Sequence, residues 1–410
     1  MAAPSQPTPP KARLQVPGLD SLQLAGERAL VRVDFNVPLE DDGEGKRRIT
    51  DDTRIREALP TIQEILKGGG KPVLMSHLGR PKGGPSDEFR LHPVAVRVGA
   101  LLGALVTKLD ESSGPEAGAG AAAAPAGGVV LLENVRFHAG ETKGDVELAK
   151  AFARLGDVFV NDAFGTSHRD HSSVCGVARL LPSAAGRLLE RELEAFARVL
   201  ENPARPLVAI LGGAKVSDKL LVIESLIERV QTLLVGGGMA YTFLAARGGK
   251  IGASLVQQDQ LELVKRLEAL CRERGVELCL PSDHVVAERF AADAPPRIVD
   301  GDIPDGWMAL DIGPRTRTEF ARRIASAKTL VWNGPMGVFE FEAFRAGTEA
   351  VARAVAECPG WTVVGGGDSV AAIHLLGLAD RIDHGSTGGG ASLELLEGKD
   401  LPGIAVLAGR

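Results

Sequence analysis

Lys215 and Lys219 lie four residues apart in Gly212-Gly213-Ala214-Lys215-Val216-Ser217-Asp218-Lys219, just after a short apolar run. At that spacing they can share one helical face. Cations at a helix N-terminus oppose its dipole, so a bound anion would compensate them. Three triple glycines also occur in the second half of the chain: Gly236-Gly237-Gly238-Met239, Gly365-Gly366-Gly367-Asp368 and Gly388-Gly389-Gly390-Ala391. Each stands between an expected strand and an expected helix. Without Cβ atoms such turns let backbone amides approach a phosphate, and the helix N-terminus adds partial positive charge. Neither GxGxxG nor a Walker A loop is present, so the pattern fits a nucleotide-phosphate cradle of another kind.

The first half brings side chains to its strand ends instead. Asp34 and Asn36 follow the first expected strand, and His77-Leu78-Gly79-Arg80 follows the second. Arg136 and His138 come after the third, His168 and Arg169 after the fourth, and Arg54 stands in the first turn of a helix. In an open parallel sheet these carboxyl ends converge on one crevice. Planar guanidinium forks bind phosphate or carboxylate in pairs of hydrogen bonds, so the cluster suits a small polyanion.

Positioning these residues requires alternating strands and helices. Short β-branched runs at 29–33, 72–76, 129–132 and 157–160, then at 207–211, 232–235, 276–280, 329–332 and 361–364, are separated by amphipathic stretches. In 52–67 the residues Ile55, Leu59, Ile62 and Leu66 fall at helical spacing before Gly68 ends the pattern. The fold class is therefore α/β: two Rossmann-like domains, each a parallel sheet flanked by helices, joined by a hinge helix. The expected division is a flexible leader at 1–18, a first domain at 19–189, an interdomain helix and hinge at 190–206, and a second domain at 207–392. Residues 111–128 are dominated by alanine, glycine and proline and read as a mobile surface insertion.

The 410 residues are 44% hydrophobic and 24% charged, enough to bury two cores. A net charge of -6 gives no global basic field for nucleic acid or an anionic membrane surface. Cys175, Cys271, Cys279 and Cys358 lack CxxC spacing, and the eight histidines form no zinc pattern. No secretory signal or membrane span is legible, so a cytoplasmic enzyme is expected.

Longer motifs add a resemblance. Arg32-Val33-Asp34-Phe35-Asn36-Val37-Pro38, Arg48-Ile49-Thr50, Asp52-Thr53-Arg54-Ile55, Ser76-His77-Leu78-Gly79-Arg80-Pro81, Glu133-Asn134-Val135-Arg136-Phe137-His138, Asn161-Asp162-Ala163-Phe164-Gly165 and Trp332-Asn333-Gly334-Pro335 are similar to the motifs of phosphoglycerate kinases, in family order. The resemblance implies a reversible phosphoryl transfer from 1,3-bisphosphoglycerate to ADP, giving 3-phosphoglycerate and ATP, by a monomer. It assigns 3-phosphoglycerate to Asp34, Asn36, Arg54, His77, Leu78, Gly79, Arg80, Arg136 and Arg169. It places the nucleotide against Lys219, Gly237, Gly238, Gly313, Asn333, Glu340, Gly366, Gly367, Asp368 and Ser369. Asp368 would coordinate nucleotide-bound Mg2+, and Arg54 and Lys215 would act on the transferring group. The C-terminal segment 393–410 would return to the first domain. Asp170, Arg187 and Gly385 depart from the family's usual residues, and an acidic neighbour beside Arg169 would weaken substrate binding slightly. The reading from another class is a catalytically silent nucleotide-binding scaffold, which retention of Lys215, Arg54 and Asp368 disfavours.

Overall fold

The computed structural model describes residues 14–41, 43, 47–82 and 84–410, so 1–13 of the expected leader lie outside the described residues. Two compact units emerge, Met1–Glu194 with Asp400–Arg410, and Ala195–Lys399. The first holds β1 (Arg28–Val33), a hairpin of β2 (Leu39–Asp41) and β3 (Arg47–Ile49), β4 (Lys71–Met75), β5 (Val106–Lys108), β6 (Val129–Leu131), β7 (Val158–Asp162) and β8 (Ser183–Ala185). Between them run α1 (Thr53–Lys67), α2 (His92–Leu102), α3 (Pro115–Ala122) and α4 (Val146–Ala153). Six strands pair in parallel in the order β5-β6-β4-β1-β7-β8. Because strand side chains alternate between faces, Val31 and Val33 of β1 meet Ile55, Ala58 and Ile62 of α1, whereas Leu30 joins Val73, Met75 and Phe152 in the opposite core. Burial on both faces explains the unbroken apolar runs at 29–31 in β1 and 158–160 in β7.

Residues 111–128 correct the expectation of a surface insertion. They contain α3, whose Ala117 and Ala121 are fully buried against the Val73, Met75, Val130 and Leu132 face. α3 is the crossover that connects the parallel neighbours β5 and β6. Alanine is what a close helix-on-sheet contact demands, so a composition too poor for a core of its own still completes one.

The second unit holds β9 (Leu207–Leu211), β10 (Thr232–Val235), β11 (Glu277–Cys279), β12 (Asp283–Ala287), β13 (Arg297–Asp300), β14 (Met308–Ile312), β15 (Thr329–Asn333), β16 (Trp361–Gly365) and β17 (His384–Gly385). Its parallel sheet runs β11-β10-β9-β15-β16-β17, and β13-β12-β14 form a separate antiparallel sheet that periodicity had not suggested. The remaining α-helices among the described residues are α5 (Arg187–Leu200), α6 (Leu220–Ile227), α7 (Met239–Ala246), α8 (Leu261–Arg274), α9 (Pro314–Ile324), α10 (Ala346–Ala356), α11 (Gly367–Leu375), α12 (Gly390–Leu396) and α13 (Pro402–Ala405). Trp332, Phe320 and Val351 centre the larger core.

The unit boundary falls inside α5, between Glu194 and Ala195. Arg187, the departure at its start, joins Glu64 of α1, Glu190 and Asp20 through a fan of hydrogen bonds at 2.5–2.8 Å. It therefore packs as an ion cluster where an apolar side chain was usual. The return to the first unit begins at Asp400 rather than 393, because α12 stays with the second unit. Gly403 of α13 donates to the Ser167 carbonyl at 2.8 Å. Gly385 pairs with Val364 and has open space beside its Cα, and nothing in the structure explains its choice.

Candidate active site

In the first unit the sheet order reverses beside β1, and side chains from the β1, β4, β6 and β7 ends meet there. Asp34 accepts from Arg54 Nη1 at 2.5 Å. Burial works to raise the Asp34 carboxyl, and the charges facing it from His77, Arg54 and Arg32 outweigh that and hold it at about 2. His77 is itself only 4% exposed, and burial drives its imidazole well below the usual range, so the two arginines carry the attraction at neutral pH. A depressed carboxyl stabilises the fold above its unfolded value of 3.8 and loses that contribution as pH falls through 2. Asp34→Asn should therefore cost stability at pH 6 and much less at pH 2, read by urea unfolding at both. An equal loss at the two pH values would contradict this.

Arg80, Arg136 and Arg169 line one cavity of about 520 Å³, together with Pro81, His138, Ala139 and Thr142. Arg136 is pushed down to about 10, by burial first and then by the positive charges of Arg32 and Arg169. An entering anion would relieve that repulsion. The Asp170 carboxylate, beside Arg169 in sequence, forms a two-bond pair with Arg179 at 3.0 and 3.1 Å. Arg169 Nε instead donates to His168 Nε2 at 3.0 Å. Asp34, Asn36, Arg54, His77, Leu78 and Gly79 do not line this cavity, and Leu78 and Gly79 shape the loop beside it. The Leu78 side chain is buried and its carbonyl accepts from Asn134, while the Gly79 amide donates to Asn36 Oδ1 and its carbonyl accepts from Arg136. A larger cavity of about 1020 Å³ lies between 47–52 and 87–100, but its Arg90 and Arg97 are taken by Asp87 and Asp52.

In the second unit, Gly237, Gly238, Glu340 and Asp368 line a cavity of about 500 Å³. Gly237 has φ +65, and a Cβ there would come within 2.6 Å of the Gly213 amide nitrogen and carbonyl oxygen, so only glycine allows this close approach after β10. Gly366 and Gly367 open α11, with Gly366 at φ +87, and Asp368 stands exposed in its first turn. Lys215 and Lys219 do not share a helical face. Lys215 is extended and precedes a 3₁₀ turn over Val216–Lys219, and Lys219 caps α6. The turn sends Lys215 outward, while Lys219 Nζ bonds Asn333 Oδ1 and burial pulls its amine down to about 8. Ser369 is buried and accepts from the Gly334 amide at 2.7 Å, which fixes the turn after β15. Gly313 caps α9 outside this cavity, its amide donating to the Asp283 carbonyl at 2.8 Å.

Sequence reasoning missed the apolar wall of the same cavity: Tyr241, Leu255, Phe290, Leu310, Met336 and Val338. Leu255 and Phe290 remain 47% and 62% exposed, which suits a flat aromatic ligand. Periodicity cannot separate such residues from core ones, because both are simply apolar.

The model of the family described as phosphoglycerate kinase matches residues 19–399. The chain belongs to the phosphoglycerate kinase family. A phosphoglycerate kinase of Moorella thermoacetica is 56% identical over 390 residues, covering 95% of this chain and 98% of the relative. That of Acaryochloris marina is 55% identical, covering 96% and 98%. Among solved structures, phosphoglycerate kinase from Coxiella burnetii superposes with a TM-score of 0.87 at 42% identity, over 97% of this chain and all of that one. The enzyme of Pyrococcus horikoshii gives 0.82 at 32% identity, over 95% and 98%. Membership makes this chain a phosphotransferase with a carboxyl group as acceptor, and a transferase of glycolysis.

Proposed function

We propose that the arginine cavity of the first unit holds 3-phosphoglycerate or 1,3-bisphosphoglycerate and the glycine-lined cavity of the second holds ADP or ATP. The observation that carries this is that Arg80, Arg136 and Arg169 line one cavity, where an anionic substrate would offset their mutual repulsion. The acceptor oxygen belongs to a carboxylate already ionised at neutral pH, so attack on ATP requires no general base. Catalysis then rests on alignment and charge stabilisation. Arg54 and Lys215 supply positive charge toward the equatorial oxygens of the transferring group. Lys219 and the α11 N-terminus hold the nucleotide phosphates.

Asp368 fits a Mg2+ ion that takes most of its ligands from phosphate oxygens and water, since of the carboxylates lining the cavity, Asp311, Glu340 and Asp368, it alone stands in the first turn of α11. When bound, that ion neutralises phosphate charge. A coupled assay with 3-phosphoglycerate, ATP and magnesium tests the reading directly, and a silent scaffold would show no turnover. Arg136→Ala should raise the KM for 3-phosphoglycerate roughly tenfold or more with a smaller change in kcat, since charge-assisted hydrogen bonds bind the ground state as well. A fall in kcat at unchanged KM would move Arg136 into the transfer step.

In-line transfer needs reacting atoms within roughly 3 to 3.5 Å, yet the two ligands are assigned to different units. Closure through 190–206, favoured when both ligands are bound, reconciles open access with a dry transfer site. Solution scattering should give a smaller radius of gyration with both ligands than with either, and an unchanged radius would count against closure. The chain is proposed to act as a cytoplasmic monomer. Among the described residues no helix is long and apolar enough to cross a membrane, and light scattering reports the oligomeric state.

A further inference from the structure

Arg32 is fully buried, and the motif reading gave it no role. Its Nε donates to Ser173 Oγ at 2.9 Å and its Nη1 to the Val33 carbonyl at 2.5 Å. Ser173 in turn donates twice to the buried Glu141, from Oγ at 2.5 Å and from its amide at 3.0 Å. Glu141 thus balances the Arg32 charge through an intervening hydroxyl rather than by direct contact. The remaining arm, Nη2, lies 3.3 Å from His77 Nδ1. Asp34 Oδ1 is 3.9 Å from the same nitrogen, too far to accept a hydrogen bond.

A guanidinium can only donate. Nδ1 of His77 must therefore be the acceptor, which leaves the ring proton on Nε2. We infer that Arg32 is a positioning residue: tethered through Ser173 to Glu141, it holds His77 in the Nε2–H tautomer, so that a neutral imidazole donates to an oxygen of the bound phosphoglycerate. The identity of that ligand rests on the proposed function, whereas the tautomer does not. The consequence for binding is one of sign. For an anion bound at Nε2, a proton on Nδ1 would leave a lone pair that repels it, whereas a proton on Nε2 attracts it. Neutrality also matters, because Arg32, Arg54 and Arg136 already crowd the imidazole with positive charge.

The test is long-range proton–nitrogen NMR on the full chain with nitrogen-15 histidine at about pH 7, with the His77 signals assigned by comparison with His77→Gln. The expected result is a protonated Nε2 and a bare Nδ1. A protonated Nδ1, or signals averaged between the two tautomers, would overturn the inference. The double variant Arg32→Met with Glu141→Gln removes both buried charges, so neither is left stranded. It should average the His77 tautomers and raise the KM for 3-phosphoglycerate roughly tenfold, with kcat much less affected. Retention of the wild-type tautomer in this variant would overturn the inference even if KM rose. Should the double variant not fold, Ser173→Ala, which cuts the tether and leaves both charges, should loosen the same signals; unaltered signals there would equally overturn it. If the tautomer is as expected but 3-phosphoglycerate is not turned over, the proposed function falls and the Arg32 role stands.

Discussion

Lys215→Ala is expected to lower kcat by roughly 10²- to 10³-fold, the cost of removing one preorganised charge from a transferring group. The dissociation constant for ATP should change only severalfold, and the thermal midpoint hardly at all. These three expectations follow from one contrast within a short segment. Lys219 is half-buried and already bonded to Asn333, so it is built into the walls. Lys215 is exposed at the end of an extended stretch and makes no ion pair among the described residues. Its side chain contributes little to the fold and is free to follow a moving charge. Single-turnover kinetics, nucleotide calorimetry and a melting curve measure the three quantities. A variant within tenfold of normal turnover would remove Lys215 from the transfer step, and a large loss of ATP affinity would make it a ground-state contact.

Replacing 111–128 by a short Gly/Ser turn should lower the thermal midpoint of the first unit by about 10 °C or more, or abolish its folding. Loop length alone would forgive the change, since closure entropy varies slowly with length. The objection is geometric. β5 and β6 are parallel neighbours, and a chain leaving Lys108 must travel back along the sheet before entering at Val129. A short turn cannot do this, so β5 would leave the sheet. The face formed by Val73, Met75, Val130 and Leu132 would then lose the cover of Ala117 and Ala121. Each of those large side chains is worth roughly 1.5 to 3 kcal/mol when fully buried, and partial exposure of several is enough for the stated shift. Activity should fall as well, because Ser112 and Ser113 bond His138 Nε2 at 3.0 and 3.3 Å, and His138 lines the arginine cavity. Calorimetry and the coupled assay decide the matter: an unchanged midpoint with full activity would restore the view that this stretch is dispensable.

The alternation of β-branched runs with amphipathic stretches was enough to read two parallel α/β sheets, since strands buried on both faces must be nearly all apolar. Asp34, Arg54, His77, Arg80, Arg136 and Arg169 were legible as candidates for a related reason: polar and charged side chains in the segments that follow apolar strands gather where strand ends converge by topology. The glycines at 237 and 366 were legible because their backbone angles tolerate little else. Tertiary structure decided what depends on neighbours remote in sequence. α3 counts as core only because the sheet face beneath it accepts alanine, and no local composition records that face. Phe290 and Leu255 became cavity walls only once separate segments met. A 3₁₀ turn, not the four-residue spacing, separated Lys215 from Lys219. The state of His77 was the least legible of all, because a histidine's proton is placed by the atom that faces it, and here that atom belongs to Arg32, 45 residues away along the chain.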